Sequence, residues 1–130
     1  MPHVILEYSA NILDDADFPH FFARLHPIIA ETGRCRLDDI KSRAIGVEHF
    51  RVGDGHEGNS FAHLTLCVLE GRDPETLQHL GEACLELMQE FYVKSLEEQR
   101  CDLTVEIRPM RRDGYFKVSS HPSWKPGAVR

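Results

Sequence analysis

The sequence has no stretch approaching the roughly 20 consecutive apolar residues that cross a bilayer, and no basic, apolar and small-residue order at its start of the kind that marks a secretory signal. Its 130 residues read as one cytoplasmic domain, 1–130, with no membrane partner. Cysteine is scarce and scattered. Cys35, Cys67, Cys84 and Cys101 form no C-x-x-C and meet no histidine pair at ligand spacing, so a structural zinc site lacks support. Cys67 and Cys84 fall in apolar periodic segments and read as small buried hydrophobes. Positive charge is in deficit, 15 Lys and Arg against 21 Asp and Glu for a net charge of -6, which argues against nucleic acid as a main partner. The deficit is uneven. From Arg108 to Arg130 the chain carries +5, leaving -11 on the rest, and the basic tail, 110–130, reads equally as a segment lying against acidic surface or an anionic ligand and as a solvated, loosely ordered terminus.

What is present is a repeated pattern. The run from Pro2 to Tyr8 is branched and aromatic, as a strand requires. Acidic residues from Asp14 to Asp17 then precede Phe18, Phe21, Phe22, Leu25, Ile28 and Ile29, which are spaced to make one face of a helix. Gly33 is its expected stop and Pro27 an expected kink. Ser42–Arg51 reads as a second strand and 53–59 as a glycine-rich loop. The order then recurs. Phe61–Leu69 is a strand, Asp73-Pro74 caps a helix, Leu77, Leu80, Cys84, Leu87 and Phe91 line its buried face, and Asp102–Arg108 is a strand that Pro109 ends.

The two β-α-β units, about 2–52 and 61–109, are offset by close to 60 residues, with His3 on His63. Right-handed crossovers place both helices on one face of a four-stranded sheet, an α+β arrangement. Both faces of that sheet read as largely apolar, so the face without helices is expected to be buried by another subunit. The same element order also fits a ferredoxin-like domain.

Four residues could carry chemistry. If Met1 is trimmed, Pro2 becomes a secondary amine fixed at a strand end. An α-amino group titrates near 7.7 to 8.0, and burial or nearby cations bring it down into the range of a general base. Arg72 stands just before a helix, where its guanidinium would add to the anion-attracting field of the helix N-terminus. Lys41 and Arg43 are two apart at a strand start and share a face. The alternatives are a plain strand start for Pro2, a solvent-facing turn for Arg72 and an edge that discourages aggregation for Lys41 and Arg43. His3 and His63 could meet across a pseudo-twofold in hydrogen-bonded packing.

Several pieces in this order, Met1-Pro2-His3, Leu25-His-Pro-Ile28, Thr32-Gly33, Ser42-Arg43, Phe61-Ala-His-Leu-Thr-Leu66, Gly71-Arg72 and Phe116-Lys117, resemble the 5-carboxymethyl-2-hydroxymuconate isomerases of the tautomerase superfamily. The resemblance covers nearly the whole chain. It implies a homotrimer, one that could pair into a hexamer, of β-α-β-β-α-β subunits with the N-terminal proline, here Pro2, as catalytic base. It also implies a cofactor-free proton shift in a small dienol with three carboxylates, part of aromatic-acid breakdown. Family arginines that hold carboxylates fall on Arg72 and, by position, on Lys41, with Arg43 a neighbouring cation. Lysine at 41 offers a point charge in place of a rigid fork, which loosens substrate orientation there.

The expected activity is therefore an isomerase acting on an unsaturated hydroxy or oxo polycarboxylic acid. Two alternatives stand beside it: a related proline-dependent decarboxylase or hydratase, and a non-catalytic oligomeric binding protein of the same fold. The tail residues Arg111, Arg112, Tyr115, Phe116 and Trp124 are expected to wrap onto a neighbouring subunit and help close its site.

Overall fold

The computed structural model describes residues 1–127; Arg130, counted in the basic tail, lies outside them. Four strands, β1 (His3–Ser9), β2 (Lys41–Val47), β3 (Asn59–Leu69) and β4 (Arg100–Met110), form one sheet in the order β2-β1-β3-β4. β1 runs parallel to β2 and β3 parallel to β4, while β1 and β3 meet antiparallel at the centre. Adjacent parallel first and second strands separate this topology from a ferredoxin-like one, whose β-α-β units are split. Helices α1 (Phe18–Thr32) and α2 (Pro74–Phe91) are the two crossovers. Phe21, Leu25 and Ile29 from α1 and Leu80, Cys84, Leu87 and Met88 from α2 close a single core over Val4, Leu6, Ala62, Leu64, Leu66 and Val68.

Local chemistry fixes the helix ends. Asp73 accepts a hydrogen bond from the Thr76 amide at 2.7 Å, with Pro74 in the first turn. Asp17 does the same for the His20 amide at 3.1 Å. Helix α1 continues through the exposed Pro27 to Thr32. Its cap is Gly33, whose amide reaches the Ile29 carbonyl at 2.8 Å. A side chain there would meet that carbonyl at 2.7 Å, so the glycine is required for close approach. The left-handed turn out of the helix falls on the next residue, Arg34, at φ 54°.

Asp14 departs from the expectation that it begins α1, whose first turn holds no acidic residue. Its carboxylate instead receives the Lys94 and Ser95 amides at 3.0 and 2.9 Å and the Ser95 hydroxyl, capping a short helix, α3 (Val93–Glu98), some 80 residues away. The buried Ser95 Oγ also accepts the Leu13 amide at 2.9 Å. Asp14→Ala removes the only carboxylate bonded to this helix start among the described residues and strands Ser95. A loss of about 2 kcal/mol in urea unfolding is expected, with a change below about 0.5 kcal/mol as the result that would contradict this cap.

Four further readings need correcting. β2 ends at Val47 and not at Arg51, and β3 begins at Asn59. β4 runs through Pro109, which pairs with Val68, to Met110; an edge strand tolerates a residue with no amide hydrogen. The two sheet faces are also unlike. Val4, Leu6, Leu64, Leu66, Val68, Leu103, Val105 and Ile107 all belong to the helix-covered face, and their alternates include His3, Glu7, His63, Glu106 and Arg108. Ile5, Phe61 and the 47% exposed Ile45 sit among those polar groups, so the open face is mixed and not largely apolar. On it His3 and His63 do not meet. His3 pairs opposite Cys67 and His63 opposite Glu7, and His63 bonds Thr104 at 2.7 Å.

Candidate active site at the amino-terminal end of the sheet

The strand order gathers the start of β1, the start of β2 and the end of β3 at one end of the sheet. Pro2 is buried there, and its carbonyl accepts the Lys41 amide at 3.1 Å, locking the chain start to β2. Met1 precedes it with only 3% of its surface exposed. The Met1 amine donates to the Asp39 carbonyl, and Lys41 Nζ donates to the same oxygen at 2.9 Å. The Asp39 carboxylate in turn receives Lys117 Nζ at 3.1 Å, with both side chains 16% exposed. One residue thus collects two ammonium side chains and the chain terminus.

This surrounding sets the amine's acidity. Burial, then the charge of Lys41, lower its pKa from 8.0 to about 5 against the opposing pull of Asp39. An amine held here is neutral at pH 7 and free to accept a proton. Burial of Asp39 works to raise its own carboxyl, but the Lys117 hydrogen bond and charge outweigh it, and the group stays below the usual carboxylate range.

His3 is fixed from both sides. The Arg43 guanidinium, which can only donate, sits 2.8 Å from Nδ1, so the ring proton is on Nε2 and faces the Tyr115 hydroxyl at 3.1 Å. Burial and the cations around it, the terminal amine first and then Arg43 and Lys41, keep His3 below its ordinary pKa. Arg43 therefore belongs to this end through His3.

Arg72 sits in the turn before α2, as expected, but its guanidinium points back into the fold. Nε donates to the Gly33 carbonyl at 2.7 Å, Nη1 to the Leu69 carbonyl at 2.8 Å, and Nη2 to Cys35 Sγ at 3.1 Å. Three of its five donors tie the end of α1 to the end of β3, which leaves two.

A cavity of about 220 Å³ opens at Asp39 and Lys41, the residues bonded to Met1 and Pro2, and is lined also by Tyr115, Lys117 and the tail as far as Trp124. In this single chain the tail folds over its own N-terminal end: Tyr115 reaches His3, Lys117 reaches Asp39, and the Ser123 carbonyl accepts from Arg36 at 3.3 Å. Sequence reasoning named Pro2 and Lys41 and expected Tyr115 at a neighbouring subunit's site, but gave no role to Asp39 or Lys117. The signal for Lys117 was the cationic, aromatic tail. At the far end of the sheet a second hollow of about 320 Å³ is lined by Asn11, Phe50, Arg51 and the 55–59 loop. Its polar groups bond one another, as when Asn11 Nδ2 donates to the Asn59 carbonyl at 2.8 Å.

Among the described residues no helix is long and apolar enough to cross a membrane. Residues 2–122 match the family of 5-carboxymethyl-2-hydroxymuconate isomerases. The chain is 35% identical over 120 residues to the 5-carboxymethyl-2-hydroxymuconate Delta-isomerase of Escherichia coli, covering 92% of this chain and 95% of that one. The solved 5-carboxymethyl-2-hydroxymuconate isomerase of Deinococcus radiodurans R1 superposes with a TM-score of 0.81 at 24% identity, over 90% of this chain and 88% of that one. A fused 4-OT symmetric trimer shares the fold at a TM-score of 0.67 and 12% identity, over 85% and 86% of the two chains. The buried amine, the β-α-β-β-α-β sheet and the sequence match agree: the chain belongs to the 5-carboxymethyl-2-hydroxymuconate isomerase family.

Proposed function

We propose that this isomerase moves a proton, without a cofactor, in an unsaturated hydroxy or oxo polycarboxylic acid of the 5-carboxymethyl-2-hydroxymuconate kind, in the breakdown of aromatic acids. The observation that carries this reading is the desolvated, cation-flanked pocket at the chain's amine end, where an amine is neutral at physiological pH. Once Met1 is removed, the Pro2 nitrogen is the base. It accepts the enol hydroxyl proton, the electron pair moves through the conjugated double bonds, and the pyrrolidinium delivers a proton to carbon, so the product is an isomer of the substrate. Lys41 and Arg43 hold substrate carboxylates, and Arg72 offers its two remaining donors to another. The assembly is a homotrimer, which could pair into a hexamer; symmetric trimers among solved proteins of this fold support it.

A second reading rests on Met1 itself. Its side chain packs at 3% exposure and its amine is bonded, so the untrimmed chain is a well-packed form in which the Pro2 nitrogen is an amide with no basic lone pair. That form would bind anions without shifting a proton. The test is to follow loss of dienol absorbance of 5-carboxymethyl-2-hydroxymuconate with protein whose intact mass proves Met1 removal, beside protein made with methionine excision inhibited. Turnover confined to the trimmed form is expected. No turnover by the trimmed form removes the isomerase reading.

A further inference from the structure

The tail that closes the amino-terminal cavity is an extended segment with two unlike sides. Phe116 and Val118 are 88% and 86% exposed, although Val118 also borders the cavity, whereas Tyr115 and Lys117, which alternate with them, turn inward onto His3 and Asp39. This alternation places Lys117 deliberately in the cavity. Among the cations named so far, Lys41 and Lys117 line it, and Arg43 and Arg72 do not. Lys117 spends one of its three donors, on Asp39, and the other two have no partner among the described residues.

We infer that Lys117 is a substrate-carboxylate-binding residue of this site and that the Asp39 carboxylate stands in its place while the site is empty. The inference rests on the isomerase reading and adds a residue to it. The Asp39 carboxylate already occupies the position that a substrate carboxylate would take: it meets an ammonium group at 3.1 Å, largely shielded from water. The same residue's carbonyl holds both Lys41 and the Met1 amine, and Met1 is the residue joined to the Pro2 nitrogen, so a carboxylate bound by Lys117 lies at the end of the sheet where trimming exposes the base. Beside Lys41, Arg43 and Arg72, Lys117 is a further cation for a substrate with three carboxylates, and it is the one that lines the same cavity as Lys41. Because Asp39 is tethered on the 3₁₀ turn Leu37–Asp39, an entering carboxylate competes with it for Lys117 and leaves Asp39 to turn toward solvent or toward Arg36, whose nearer partner Asp38 is 3.8 Å away.

The test uses Met1-trimmed enzyme and the variants Lys117→Met and Asp39→Asn, with Lys117→Met/Asp39→Asn as the form that leaves no unpaired charge if the single variant folds poorly. Loss of a charge-assisted hydrogen bond should raise KM for 5-carboxymethyl-2-hydroxymuconate about tenfold or more in both Lys117 variants, while kcat moves less than about threefold. Asp39→Asn, with its competing carboxylate gone, should lower KM. An unchanged KM in the double variant, with parental turnover intact, overturns the role of Lys117 and leaves the isomerase reading standing. If the parent does not turn the substrate over, that reading fails and Lys117 is judged by calorimetric binding of propane-1,2,3-tricarboxylate. Weaker binding by the double variant then keeps Lys117 as an anion-binding residue, and equal binding removes it.

Discussion

Pro2→Ala in Met1-trimmed protein is expected to lower kcat/KM by about 100-fold or more, within the range that a positioned general base contributes. Alanine keeps an amine at the strand end but exchanges a rigid secondary one for a primary one that can rotate out of line. The start of β1 should survive, because the tie from Lys41 uses the carbonyl of residue 2 and not its side chain. Stopped assays paired with circular dichroism check both halves of this statement. Parental turnover in the variant would remove Pro2 as base. The pH profile gives an independent check. A neutral amine is the active form, so activity is lost as pH falls through its pKa, and the burial and cations that lower the Met1 amine in the untrimmed chain should move the limb set by Pro2 in the same downward direction. Lys117→Met should shift the limb upward, since Lys117 is one of the charges that lower the Met1 amine at this end of the sheet. The same depression affects stability. In the untrimmed chain the unfolded Met1 amine, near 8.0, binds more protons than the folded one between about pH 5 and 8, so this group makes folding less favourable at pH 5 and ceases to do so as pH rises to 8.

Arg72→Ala should have the largest effect on folding. The guanidinium bridges two elements that are not neighbours in sequence: the Gly33 carbonyl just after α1 and the Leu69 carbonyl at the end of β3. Hydrogen bonds from a charged donor contribute about 1.5 to 3 kcal/mol each, and truncation leaves both carbonyls short of a partner. A net loss of about 3 kcal/mol is expected after relaxation and water entry, or a fall of about 10 °C in Tm for a chain of this size. Arg72→Lys should recover less than half, because one ammonium cannot span the two carbonyls and Cys35 with the geometry of a planar fork. Urea unfolding of the three proteins measures this. A midpoint for the alanine variant within experimental error of the parent would show that these bonds contribute nothing. Activity assayed well below the midpoint separates loss of fold from loss of substrate grip on the remaining two donors.

Features that depend on neighbours in sequence were legible. Asp73-Pro74 capped α2 and Gly33 ended α1 because a cap involves residues three or four apart, and the spacing of Leu80, Cys84 and Leu87 marked the buried face. Features that depend on distant partners were not. Asp14 looked like part of the acidic lead into α1, yet it completes α3, a helix too polar and short to show any periodicity. Pro109 looked like a strand end because sequence does not reveal which strand lies at the edge. In the site, Pro2, Lys41 and Arg43 could be read from position on adjoining strands. Asp39 could not, because its main function there is exercised by a backbone carbonyl, which every residue has. The turn before α2 told where Arg72 stands but not that its guanidinium reaches back to Gly33.

The central pairing of β1 with β3 has one more consequence. Ile5 lies opposite Thr65, and the two halves repeat at an offset of about 60, so the local twofold passes through that pair and relates the two ends of the sheet. A duplicated scaffold of this kind offers two equivalent locations for a reactive group. The counterpart of Pro2 in the second half is Ala62, fully buried and paired with Tyr8 within the sheet. Its nitrogen is an ordinary amide in a continuous polypeptide and has no proton-accepting lone pair. Joining two copies end to end therefore silences one location by covalent continuity alone, whatever the side chains there become. A base of the Pro2 kind is then confined to the amino-terminal end of the sheet.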